Sequence, residues 1–171
     1  MKSRWALLAR GLLVAAMTFG VSGIAAALLA DPALAKQEVP FRGSLQGVET
    51  NTVDGTNILV DGSGDGVATH LGRFTVAWED TVDQATLSAT GAIHFIAANG
   101  DNIFTTSVGQ ANPTDTPNVL RIVEIHTIAG GTGRFANVTG NFTVERLLDL
   151  VTGFTVGSFT GTIMSPGAAK R

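Results

Sequence analysis

From residue 39 onward this chain alternates, and that constrains its fold more than anything else in it. In 39–49, Val39, Phe41, Gly43, Leu45 and Gly47 occupy every second position, with Arg42, Ser44 and Gln46 between them. Successive side chains leave a strand on opposite faces, so a two-residue period with one apolar face marks a half-buried strand. The clearest instance is 70–79, where His70, Gly72, Phe74, Val76 and Trp78 share one face. A long strand is expected over 85–97, with Leu87, Ala89, Gly91, Ile93 and Phe95 aligned. Further strands are expected to begin at 58–60 and to cover 103–110, 119–128, 141–150 and 154–163. The joints carry turn chemistry: Asp54-Gly55, Asn99-Gly100 and Thr152-Gly153 are hairpin-type dipeptides, while Pro113 and Pro117 place 111–118 in a loop. No helical period follows residue 35.

About eight short antiparallel strands joined by tight turns point to an all-β fold, a barrel or a sandwich. Glycine decides between them. Eighteen of the 21 glycines lie beyond residue 35, many inside expected strands. Strand glycine is unfavourable unless it permits bending or close approach, and a small closed barrel needs both. The fold expected is a single antiparallel β-barrel of roughly eight strands, whose interior is just wide enough to be filled by side chains or to hold one small ligand.

The first 35 residues are read separately. Lys2, Arg4 and Arg10 form a basic region, residues 11–30 an apolar one broken by Gly20 and Gly23, and Ala33-Leu34-Ala35 a small-x-small cleavage pattern. This is the pattern of a secretory signal peptide cut after Ala35, leaving residues 36–171 as the barrel domain (core about 39–163) with no membrane span. A secreted or periplasmic location follows as an expectation, and without cysteine there is no lipobox. Leaving Lys2, Arg4, Arg10 and Asp31 out of the eleven basic and fourteen acidic residues gives eight against thirteen, a net charge of −5. A mildly acidic surface without basic clusters offers nothing to phosphate backbones, so nucleic acid is not an expected partner. An exported domain without disulfides must depend on a closed or well-covered sheet.

The residues Ile128-Ala129-Gly130-Gly131-Thr132-Gly133-Arg134-Phe135, followed by Gly140 and the alternating Phe142 and Val144, resemble the glycine turn and following strand of plant allene oxide cyclases. Dirigent proteins carry a similar G-G-T-G turn. The hairpin at 93–110 is similar to the corresponding cyclase hairpin. The resemblance spans roughly 71–163, and in character the chain is closest to small secreted bacterial members of that superfamily with unassigned function. It implies an eight-stranded barrel with a lumenal pocket, often trimeric, in which a reactive intermediate is steered by confinement. The partners expected are a small apolar ligand and further copies of the chain, as a dimer or trimer. The pocket cysteine of the cyclases has no counterpart here. Independently of the resemblance, Gly130, Gly131 and Gly133 permit positive φ, letting Phe135 fold back as a plug over one barrel end.

Chemistry-bearing residues are few. Asp61-Gly62-Ser63-Gly64-Asp65-Gly66 matches the front half of a calcium loop, but the twelfth position is Gly72 where a bidentate acid is needed. His70 is expected to face inward and His94 outward, so the three histidines, His126 included, do not make a zinc site, and no metal or cofactor is implied. No nucleophile elbow, Walker loop or dinucleotide fingerprint is present. What remains is a set of polar residues on faces otherwise read as core. Arg146 shares a face with Phe142, Val144 and Leu148; Glu124 and His126 share one with Ile122 and Ile128, although Val123 and Ile125 leave that strand's facing open. An unpaired interior charge is costly, so an inward Arg146 requires a carboxylate, and Glu124 is the natural partner. Two readings stay open: an interior structural ion pair, or the polar floor of a pocket formed by His70, Trp78, Glu124, His126 and Arg146. Three functions accordingly stand side by side: a non-enzymatic module for a small apolar ligand or a partner, a cyclase- or dirigent-like steering protein, and an envelope or assembly component without ligand.

Overall fold

A computed structural model of the chain describes residues 37–164. The expected leader and its expected cleavage point lie outside the described residues. The strands are β1 (Glu38–Asp54), β2 (Asn57–Ala68), β3 (Gly72–Asp83), β4 (Ser88–Ala97), β5 (Asn102–Pro113), β6 (Val119–Gly131), β7 (Thr139–Asp149) and β8 (Phe154–Met164). Each pairs antiparallel with the next and β8 pairs back with β1, closing the barrel. Closure leaves no strand edge unpaired.

Several boundaries differ from the alternation pattern. β2 does not stop at the glycine run: Asp61–Gly66 is extended strand paired to β3, with Asp61 and Asp65 on the exposed outer face. The glycines of that run make room for aromatic rings. Gly62 lies opposite Trp78 and Gly66 opposite Phe74 in the β2–β3 register, and a Cβ at either glycine would overlap the opposing ring. Gly43 on β1 stands in the same relation to Phe159 on β8. β5 runs on to Pro113, which occupies its last position, so the loop is shorter than proline content suggested. β4 begins at Ser88 rather than 85, because Leu87 sits at φ +57 in the preceding turn.

Consecutive antiparallel strands place alternate turns at opposite ends of the barrel. One end carries the β2–β3, β4–β5 and β6–β7 connections, and it is plugged. Gly130 takes φ +156, and past Gly131 the chain leaves the strand, turns through Gly133 (φ +55) into a short 3-10 turn, Gly133–Phe135, and buries Phe135. The Arg134 guanidinium donates to the Leu71 carbonyl at 3.0 Å, tying this plug to the β2–β3 connection. Behind the plug lies a phenylalanine cluster: Phe41, Phe74, Phe95, Phe142 and Phe159 meet at centroid separations of 5.0–6.5 Å, mostly edge-on or tilted. Each buried ring contributes about 1.5–3 kcal/mol by removal from water, with roughly 0.5–1.5 kcal/mol more per favourable aromatic pair. The other half of the lumen is built differently.

Candidate functional site

Toward the end carrying the β1–β2, β3–β4, β5–β6 and β7–β8 turns, the inward positions change from aromatic to charged. Arg146 on β7 continues the face of Phe142 and Val144 and is buried. Its Nη1 donates to Glu49 Oε2 at 2.6 Å and to Thr155 Oγ1 at 3.3 Å; its Nη2 and Nε donate to the two oxygens of Glu124 at 3.2 and 3.3 Å. The planar guanidinium fork suits this two-sided grip on carboxylates. A third acid, Asp80 on β3, places Oδ2 3.9 Å from Nη2. The guanidinium also lies 5.6 Å from the Trp78 ring, whose Nε1 donates to Glu49 Oε2 at 3.2 Å. Four strands thus bring one arginine and three acids to a single level of the barrel.

The imbalance of charge sets the protonation of the cluster. Burial pushes the Asp80 carboxyl up, the neighbouring Glu124 charge adds to this, Arg146 only partly opposes it, and the result is about 7. For Glu124, burial also acts upward, but His126 and the Arg146 guanidinium outweigh it and hold the carboxyl at about 2. Arg146 is held above the usual arginine range by the two glutamates, despite its burial. One acid of the cluster therefore changes charge near neutral pH while the Arg146–Glu124 pair does not.

Beneath the cluster sits His126, fully buried and stacked on Phe142 at 4.9 Å with nearly parallel planes. Its Nδ1 hydrogen-bonds Thr105 Oγ1 at 3.0 Å, while Nε2 has no hydrogen-bond partner and points toward Glu124 Oε2, 3.9 Å away. Above the cluster a cavity of about 70 Å³ opens to solvent, its walls formed by Ile58, Val82, Leu87, Leu120, Leu148 and Leu150, and its floor by Glu49, Asp80, Glu124 and Arg146.

Of the pocket candidates read from sequence, Trp78, Glu124, His126 and Arg146 come together here. His70 does not: it sits at φ +61 in the β2–β3 turn, at the plugged end, because the chain leaves the extended conformation between Ala68 and Gly72. Gly130, Gly131, Gly133 and Phe135 lie at that same far end. His94 is half-buried on the outer face, stacked on Phe104 and bonded through Nε2 to Asn102 Oδ1 at 2.7 Å. The three histidines therefore occupy a turn, the outer wall and the lumen. Glu49 and Asp80 were absent from the candidate set, yet each stands in phase with inward residues of its strand: Glu49 two positions past Gly47, Asp80 two past Trp78.

Neither a family model nor a curated protein matches the chain. Solved structures do. A barrel of this kind occurs in the pterocarpan synthase dirigent protein GePTS1, at 11% identity and a TM-score of 0.56, with 75% of this chain and 88% of that one covered. The pterocarpan synthase dirigent protein PsPTS1 gives 11% identity and a TM-score of 0.51, covering 76% of this chain and 96% of that one. The fold is that of the dirigent barrel. At this identity the likeness is one of fold, and chemistry must be argued from the site.

Proposed function

We propose that this chain is an exported binding barrel that holds a small, mainly apolar molecule in the open mouth above Arg146. The observation that carries this reading is the arrangement of the mouth itself: an aliphatic ring, open to water, over a buried polar floor. Binding sites have this construction, with apolar walls supplying affinity and a few fixed polar groups supplying orientation. The cavity is small, so the ligand would place one end on the floor and extend outward past Leu87 and Leu150. Export rests on the leader pattern ending at Ala33-Leu34-Ala35. Native mass spectrometry of the protein gently purified from its host reads ligand and stoichiometry together. A defined extra mass lost on denaturation supports the reading; an empty barrel assembled into a discrete oligomer removes it in favour of an assembly component.

A second reading, in which a reactive intermediate is steered in the lumen, is favoured by Asp80. A carboxyl held at about 7 beside a cavity is the kind of group that exchanges protons with a bound molecule at neutral pH. The fold neighbours are described as pterocarpan synthase dirigent proteins, in keeping with this reading. Under it, Glu124→Gln unhooks Arg146 and abolishes control over the product while the barrel still folds; unchanged product from an identified substrate sinks it.

A further inference from the structure

The floor of the mouth is lopsided in hydrogen-bonding capacity as well as in charge. Arg146 commits four of its five N–H donors to Glu49, Glu124 and Thr155, and Trp78 commits Nε1 to Glu49. Asp80 receives far less: Ser107 Oγ donates to Oδ1 over a long 3.4 Å, and Oδ2 accepts no hydrogen bond from any described residue. His126, fully buried, aims an unpartnered Nε2 into the same cluster. His126 Nδ1 and Thr105 Oγ1 are hydrogen-bonded at 3.0 Å, which fixes the ring with Nε2 toward the Glu124 carboxylate. Three acids against one guanidinium give the cluster more acceptors than donors.

Such a floor complements a cation that donates hydrogen bonds and repels an anion. We propose that the molecule bound in the mouth is a small primary amine, its ammonium on Asp80 Oδ2 and its apolar body against Ile58, Leu87 and Leu148. This rests on the binding reading above and names the ligand class for it. The volume suits one end of such a molecule: at about 30 Å³ for each water-sized group, the 70 Å³ cavity takes the ammonium and the first carbon or two of butylammonium, and the rest extends past Leu87 and Leu150. The groups facing Asp80 are Glu49 from β1, Ser107 from β5, Glu124 from β6 and Arg146 from β7, and its own carboxyl is held at about 7. Ionised, Asp80 leaves the cluster with an excess of negative charge that an ammonium neutralises.

The test compares butylammonium, 1-butanol and butyrate as ligands of the full chain, followed by methyl NMR of the mouth leucines. At about pH 9 butylammonium binds roughly tenfold more tightly than butanol, the scale of one charge-assisted hydrogen bond, and butyrate binds least. The amine keeps its charge down to about pH 5, since alkylamines titrate near 10.4, whereas Asp80 does not. The preference for amine over alcohol therefore collapses to within about twofold at pH 5. That comparison uses the unaltered protein, so misfolding cannot mimic it; Asp80→Asn, with its methyl spectrum retained, loses the preference at both pH values. If butanol or butyrate matches the amine at high pH, the amine assignment falls and the binding mouth stands. If none of the three shifts a mouth methyl at millimolar concentration, both fall.

Discussion

The two halves of the lumen are lined by the same eight strands and follow the same inward phase, yet they are held together by opposite physics. At the plugged end, Phe41, Phe74, Phe95, Phe142 and Phe159 fill the space over glycines on neighbouring strands. At the open end, Arg146, Glu124, Glu49 and Asp80 fill it with charge. The first half gains from every ring it buries, independently of the others. The second is a mutual arrangement in which each member is tolerable only because of the rest, since a buried charge stripped of its partner costs several kcal/mol. A barrel of this size could have been packed with aliphatic side chains throughout, often at no loss of stability. That the charged half lies beside the cavity, and the aromatic half away from it, is the structural reason for placing function at the open end.

The sharpest way to break this contrast is to damage each half and change the pH. Arg146→Met leaves Glu49, Asp80 and Glu124 facing one another without a counter-charge, and is expected to destabilise the barrel by about 3–5 kcal/mol at pH 7. Lowering the pH protonates the acids and recovers much of that loss. Phe142→Ala removes a fully buried ring and its stacking on His126, also costing about 3–5 kcal/mol, but the loss stays flat with pH. Urea unfolding of both variants between about pH 4 and 8 separates the two behaviours. Equal, pH-independent losses would mean that the charged cluster is no more than packing.

How far this contrast could be read from the sequence depended on whether the chain stayed extended. In β6, Val123 and Ile125 on the opposite face left the facing of Glu124 and His126 open, and the register of the barrel decides it. Within β7 the alternation is unbroken, so the inward placing of Arg146 follows from Phe142 and Val144. The eight-stranded barrel itself was legible for the same reason. His70 illustrates the failure. Its phase was extrapolated back across Gly72, and both residues adopt positive φ, where a two-residue period carries no meaning. Glu49 and Asp80 failed in another way: each stands in the inward phase, but near a turn signal, where a carboxylate ordinarily reads as solvent-facing. Only the partner across the barrel, Arg146, makes their burial tolerable, and a partner that lies 97 residues from Glu49 in the chain has no local signature.

A smaller effect, of opposite sign, tests the charge excess at the open end. The Asp80 carboxyl is raised from 3.8 to about 7 on folding, so the folded chain binds more protons than the unfolded one between those values. Stability from this group is present in full below about pH 4 and is lost as the pH rises to 7. At about 1.4 kcal/mol per unit, the loss is on the order of 4 kcal/mol. Glu124 works the other way: its carboxyl falls from 4.5 to about 2, so its contribution is present above pH 4.5 and lost as pH drops toward 2. Asp80→Asn removes the first effect only. The variant is expected to match the parent near pH 4 and to exceed it by roughly 2–4 kcal/mol near pH 8 in denaturant unfolding. A variant less stable than the parent at pH 8 would place Asp80 as a needed partner of Arg146 rather than as its surplus acid.

The smallest expected effect keeps the chemistry and changes only the side of the wall. Glu145 precedes Arg146 in β7 and therefore points outward, where it pairs with Arg121 of β6. Both side chains are about half exposed, at 54% and 51%. This is the same arginine–glutamate pairing as Arg146–Glu124, across the same pair of strands, with water on one side of it. An exposed pair gains little, because its charges are screened and its long side chains lose freedom on pairing. Arg121→Ala is expected to cost below about 1 kcal/mol, and less in high salt, when unfolding is followed by urea titration. The corresponding inner loss should hardly respond to salt, since ions do not reach a buried guanidinium. Should the outer pair prove as costly to break as the inner one, desolvation could no longer be what distinguishes the open half of the lumen, and the case for the charged floor as a binding surface would lose its physical basis.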